Sequence, residues 1–190
     1  EKNLDKLHWI MLSSNPMSNH LLEQNLDKIH WDVLSRNPYA MPIIEQNLDK
    51  IHWGMLSLNP NAVHILEKNL DKVDWHHLSG NPSAIHILEQ HMDKINWLTL
   101  SRNPNSIHIL EKNPDKIHWR LLSQNPNAMS LLAQNVDKIN WWVLSGNPNI
   151  ITYDYDEMKN AIYREGGLAE ELMKNRFHPK NMDIWKGWGF

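Results

Sequence analysis

The residues of this chain best suited to chemistry are its histidines, which are abundant and ordered. His20, His64, His86 and His108 form one column, separated by 22 residues or a multiple of 22. Imidazoles in register suit metal ligation or a surface that changes charge near neutral pH. A metal needs ligands converging within about 2.0–2.1 Å of one ion. Column members one repeat apart are about 8–10 Å from each other if helices pack side by side. Glu67 and its equivalents, one turn on, join only from the side. The expectation is a polar solvent face, with no bound metal and no cofactor.

A second column holds His8, His30, His52, Asp74, Asn96, His118 and Asn140. Every occupant can hydrogen-bond, and helical geometry puts the position among apolar neighbours, where polar groups must be paired. A structural ladder tying each helix to a neighbouring loop follows. The recurring serines, Ser13 through Ser145, read as helix-end hydrogen bonders. Seven Asp-Lys pairs, such as Asp71-Lys72, read as capping and surface charges. No phosphate-binding loop, dinucleotide fingerprint or zinc-protease helix is present, and no Ser/His set breaks the repeat pattern as a catalytic triad would. The chain is therefore expected to be non-enzymatic, with no catalytic residues.

These columns exist because the chain copies one unit, Asn59 to Gly80. Trp recurs from Trp9 to Trp141 and Asn-Pro from Asn15-Pro16 to Asn147-Pro148, always in steps of 22 and without insertion or deletion. Such a fixed period marks a solenoid or array. The unit predicts two helices of eight to ten residues. In the first, Asn59 is the N-cap, Pro60 the first helical residue, and Asn69 a left-handed stop. In the second, Asp71 is the N-cap and Leu70 packs on Trp75 as a hydrophobic staple. Ala62, Val63, Ile65 and Leu66 then face inward, with Asn61, His64 and Lys68 outward. On the second helix Val73, Trp75, His77 and Leu78 face inward, with Lys72, His76 and Ser79 outward. The Trp column is expected in the core. Leucine-rich repeats share the period, but they need a Leu-x-Leu strand run and an Asn ladder, whereas the apolar spacing here is helical. The predicted fold is all-α: an αα-solenoid of seven tandem two-helix repeats over 1–148, the first incomplete, with a helical C-terminal cap over 149–190.

Two departures mark the array. Pro42 falls at the fifth position of its predicted helix and is expected to kink or shift it, at a cost of up to about 3 kcal/mol. Ala133 replaces the Glu of five earlier units, which suits a helix meeting something other than another repeat. Beyond Pro148 the period stops. A helix bent at Gly166-Gly167 and the closing Trp185, Trp188 and Phe190 are expected to cover the last repeat's apolar end.

Bulk properties exclude several classes. The net charge of −3 leaves no basic footprint for nucleic acid. There is no cysteine, hence no disulfide or thiol chemistry, and no apolar run is long enough to span a membrane.

The repeated Trp-x-x-Leu-Ser-x-Asn-Pro-Asn-Ala-Ile pattern resembles a family of repeat proteins encoded by giant and other large DNA viruses. The ending from Glu170-Glu171-Leu172 through Phe177-His178-Pro179 to Gly187-Trp188-Gly189-Phe190 is similar to that family's C-terminal tail. The resemblance implies a viral product made in the host cytoplasm, with a virion as a further location, and no assigned activity.

Two positions vary from unit to unit. The residue after each Trp reads Ile10, Asp32, Gly54, His76, Leu98, Arg120, Trp142, and the residue before each Asn-Pro reads Ser14, Arg36, Leu58, Gly80, Arg102, Gln124, Gly146. Architecture does not dictate them, and exposed Arg and apolar side chains on a regular scaffold suit recognition. Asp32, His76, Leu98, Arg120 and Trp142 are the expected contacts of a protein partner, one supplied by the host. The alternative is a structural virion or filament component, with copies associating end to end instead of remaining monomers.

Overall fold

The computed structural model of the protein describes residues 3–150. Over this range the chain is an all-α repeat solenoid, with thirteen short α-helices and no strand among the described residues. The odd-numbered helices each begin on the repeated Trp: α1 Trp9–Ser14, α3 Trp31–Arg36, α5 Trp53–Ser57, α7 Trp75–Ser79, α9 Trp97–Leu100, α11 Trp119–Leu122 and α13 Trp141–Leu144. Between them come α2 Asn19–Glu23, α4 Met41–Gln46, α6 Val63–Leu66, α8 Ile85–Gln90, α10 Ile107–Glu111 and α12 Met129–Ala133. The Trp helices pack in succession, α1 on α3, α3 on α5, α5 on α7 and α7 on α9. One compact unit ends at Ile150. The expected cap over 149–190 lies, from residue 151 on, outside the described residues.

The helices have four to six residues, roughly half the expected length, because each helix start is displaced. Asn59 does not cap α6. Its side-chain Oδ1 accepts the Asn61 N–H at 3.0 Å, and the Ala62 N–H bonds the Asn59 carbonyl, so Asn-Pro forms a tight turn ahead of the helix. Asp71 does not cap α7 either. Residues 69–72 form a turn closed by Lys72 N–H on the Asn69 carbonyl, and the N-cap is Asp74. Trp75 is therefore the first helical residue rather than the fourth, and the staple spacing is not realised. Nor do the Asn25, Asn47, Asn113 and Asn135 stops adopt left-handed backbone, since their φ values run from −134° to −141°. The equivalent amide of Asn69 instead reaches back 2.9 Å to the Ile65 carbonyl, satisfying a helix-end acceptor.

Pro42 produces no kink. With α4 starting at Met41, it is the second helical residue, where an N–H has no intrahelical partner to lose.

The core is aliphatic. Leu34, Leu56, Leu78, Leu100 and Leu122 from the Trp helices are fully buried against Ile44, Leu66, Leu88, Leu110 and Leu132 from the others. Ala40, Ala62, Ala84 and Ala128 let the layers close up. Ser106 replaces this Ala, and its hydroxyl donates to the Leu100 and Asn103 carbonyls, both at 2.8 Å. Trp9 through Trp119 of the Trp column are only half-buried, packing on the edge of the core rather than filling it, and Trp141 is exposed. A lysine of the next repeat covers several of these rings: Lys28 Nζ is 4.9 Å from the Trp9 ring centroid and Lys72 Nζ is 4.8 Å from that of Trp53. His91 takes that place at Trp75, with centroids 5.2 Å apart.

Polar side chains bind one repeat to the next. The buried Asn81 amide donates to the Ser57 and Asn59 carbonyls, each at 3.0 Å, while its Oδ1 accepts the Ser83 N–H. Asn59, Asn103, Asn125 and Asn147 repeat this pattern. An asparagine ladder thus runs through a helical array that has no strand. Serine supplies a second tie. Ser79, expected on the outside, is fully buried; its hydroxyl donates to the Trp75 carbonyl and accepts the Asn96 N–H at 2.9 Å. The same pair of bonds recurs at Ser13, Ser35, Ser57, Ser101 and Ser123.

Ser79→Ala leaves the Asn96 N–H buried without an acceptor and is expected to cost about 1–3 kcal/mol. Pro42→Ala, by contrast, releases no strain and lowers stability slightly or not at all. Denaturant unfolding of both variants against wild type checks the pair; a Pro42→Ala gain near 3 kcal/mol would restore the kink.

Candidate interaction surface

The second residue of each Trp helix follows the ring that edges the core and points outward. Asp32, His76 and Arg120 are exposed, Leu98 is 46% exposed and Trp142 is 82% exposed. Gly54, in the same column, is half-buried. One helical turn on come Arg36, Leu58, Gly80, Arg102 and Gln124, and residues four apart share a helix face. Arg36, Arg102 and Gln124 are exposed. Asp32 and Arg36 therefore share one face of α3, Arg102 and Gln124 fall just beyond the ends of α9 and α11, and packing of successive Trp helices carries the first column from repeat to repeat.

The second His/Asp/Asn column is the N-cap of the Trp helices, partly exposed rather than set among apolar groups. From His30 on, its occupants donate their backbone N–H to the serine ladder. The side chains of His52, Asp74, Asn96, His118 and Asn140 also accept the N–H three residues on. The ladder reading of this column thus holds for its backbone, while the side chains serve as caps. At Asp74 burial alone would raise the carboxyl, but the His77 N–H, the neighbouring His77 ring and the His76 N–H outweigh it and hold the group below the ordinary carboxylate value. The His77 Nδ1 sits 3.2 Å from Asp74 Oδ2. A Cβ added to Gly54 would come within 3.1 Å of the His52 ring and 3.6 Å of His77 Nδ1, so these rings occupy the space that a side chain at 54 would take.

The first histidine column is exposed, as expected, and His64, His86 and His108 are each paired with a glutamate, while His20 contacts Gln24 Nε2 at 3.2 Å. His64 Nε2 contacts Glu45 Oε1 at 3.0 Å, His108 contacts Glu89 at 2.8 Å, and His86 contacts Glu67 in the same way. Each pair joins consecutive repeats. Where Pro42 and Ser130 replace the histidine, Glu23 and Glu111 have no such partner among the described residues. Among those residues, no group of three or more His, Asp or Glu is placed to hold a metal ion.

One concavity interrupts the variable face. A groove of about 470 Å³ is lined by Asp32, Val33, Arg36, Pro38, Tyr39 and Met55, with Ser14 and Pro16 on its rim. Asp32, Arg36 and Ser14 of this group lie in the columns that vary from unit to unit. Tyr39 and Met55 had a signal too: Tyr39 occupies a position that holds Asn in four later units, and Met55 a position that varies freely.

No family model, no curated protein and no solved structure matches the chain.

Asp74→Asn keeps the capping oxygen and removes the charge. Because the folded carboxyl is depressed, the charged form favours the folded state fully above about pH 4, the unfolded carboxylate range, and the benefit is lost as pH falls through the folded value. Wild type is expected to be more stable than Asp74→Asn at pH 7, with the two converging as pH falls through the folded value. Unfolding curves across pH check this; a difference independent of pH contradicts it.

Proposed function

We propose that the protein is a non-enzymatic scaffold that binds a protein partner through the variable face of its Trp helices. One observation carries the reading: Asn59, Leu78, Ser79 and their equivalents in the inner repeats are buried, the Asn and Ser tied into ladders, while Asp32, His76, Leu98, Arg120 and Trp142, which change from unit to unit, are exposed. A framework needs the first group and a recognition surface needs the second. The face includes Arg120 and Trp142, residue types that dominate binding energetics when a partner desolvates them. The likeness of the repeat and tail to those of large DNA viruses supports a host protein as the partner, met in the host cytoplasm.

The test is capture of a partner from host lysate, identified by mass spectrometry and then measured with purified components. Arg120→Ala with Trp142→Ala is expected to weaken binding by about 2 kcal/mol or more, near thirtyfold, if they form the hot spot. Stability should move by less than about 0.5 kcal/mol, as both sites are exposed. Replacing His64, His86 and His108 by Ala removes only half-exposed ion pairs and should leave binding unchanged. Loss of binding with the histidine set and not with the first pair would place the contact on the opposite face. Concentration-dependent growth of the particle in solution, with no partner captured, would favour end-to-end assembly instead.

A further inference from the structure

The groove over α3 differs from the rest of the face in ways that together specify an occupant. In most repeats an asparagine two residues after the ladder asparagine donates to the proline carbonyl of the preceding repeat. Asn61 bonds Pro38, Asn105 bonds Pro82 and Asn127 bonds Pro104, each at 2.9 Å. Tyr39 occupies this position in the second repeat, so the Pro16 carbonyl has no protein donor among the described residues. The same substitution raises an aromatic wall, since Tyr39 is 62% exposed. Val33 and Met55 add apolar lining. Asp32 and Arg36, one turn apart along one edge, have no ion-pair partner among the described residues, and they do not pair with each other.

We propose that this groove binds an extended segment of a partner protein carrying a basic residue and an acidic residue two positions apart. The spacing follows from geometry. Residues four apart on a helix are separated by about 6 Å along its axis. Residues two apart on an extended chain are separated by about 6.6–6.8 Å and point the same way. The basic side chain meets Asp32, its aliphatic stem lying on Val33 and Met55. The acidic side chain meets Arg36, whose planar guanidinium suits a carboxylate. A backbone N–H of the segment donates to the Pro16 carbonyl, as extended peptides do when they add to an unpaired backbone edge. Nucleic acid does not fit, because Asp32 repels phosphate on the same edge. This inference rests on the variable face being the binding face and adds the chemistry of its partner.

The test titrates the full chain, observed by backbone amide NMR, with two blocked hexapeptides: Ala-Lys-Val-Glu-Leu-Ala and its charge-exchanged counterpart Ala-Glu-Val-Lys-Leu-Ala. An extended segment can enter in either direction, so the free Pro16 carbonyl must fix the polarity. One peptide should bind at least tenfold more tightly than the other, with shifts centred on Val33, Arg36 and Met55. Asp32→Lys with Arg36→Glu should reverse the preference. Tyr39→Asn restores the donor to Pro16 and removes the wall; it should weaken the preferred peptide at least tenfold without lowering the melting temperature. Equal binding of both peptides, no binding, or an unaltered preference in the charge-exchanged variant overturns the inference. If the peptides fail while Arg120→Ala with Trp142→Ala still releases the captured partner, the groove falls and the wider face stands. If the groove binds as described while those substitutions leave the partner bound, the wider face falls instead.

Discussion

The buried asparagine amide is the constraint on which the solenoid depends. A helix of four to six residues is little more than one turn, and nearly all its backbone groups belong to an end without an intrahelical partner. In water such pieces do not persist. Here the ends are satisfied across repeats. One asparagine serves two carbonyls of the preceding repeat and one N–H of its own turn. Aspartate lacks the donors, and glutamine would push the amide a carbon farther out. The serine hydroxyl adds the reverse traffic, receiving the cap-residue N–H of the following repeat. Aliphatic burial supplies the driving force, but the amides fix the register between repeats.

That division explains how the same molecule carries a rigid frame and a changeable face. Asparagine, serine and the paired leucines cannot change without leaving buried polar groups unpaired or the core underfilled. The residue after each Trp touches none of these ties. Stability accrues at each junction between neighbours, so a substitution at an exposed face position such as Arg120 leaves the frame unaffected, whereas one at Gly54 meets the His52 ring. The His–Glu pairs on the other helix layer add half-exposed contacts between repeats, an electrostatic supplement worth little by itself.

The period, the all-α class and the exposed variable column were legible in the sequence because they follow from spacing alone. Helix limits were not. Asn59-Pro60 and Asp71-Lys72 are both valid helix starts by local rules, yet each forms a turn: the Asn59 amide is committed to carbonyls 22 and 24 residues away, and the Lys72 N–H closes on the Asn69 carbonyl. Ser79 looked exposed on a helical wheel for a related reason: its position at the helix end turns it into the junction, where it meets Asn96. The Trp column looked like core because Trp is large and recurrent, while the fully buried volume belongs to Leu and Ile and the rings edge it. An asparagine ladder had been associated with strand-based repeats, and its presence between helices required the coordinates. The groove needed three-dimensional adjacency, although Tyr39 had already broken an asparagine column. The C-terminal cap falls on residues outside those described.

The measurement that tests the amide ladder most directly is the unfolding free energy of Asn103→Leu, a near-isosteric change that keeps the volume and removes every hydrogen bond. The Ser79 carbonyl loses its donor, the Asn81 carbonyl keeps only the Ala84 N–H, and the part-buried Asn105 N–H loses its acceptor. The ladder account predicts a loss of about 2 kcal/mol or more, from unpaired groups at about 1–3 kcal/mol each. A variant as stable as wild type, or more stable because an apolar side chain has entered the core, would contradict it.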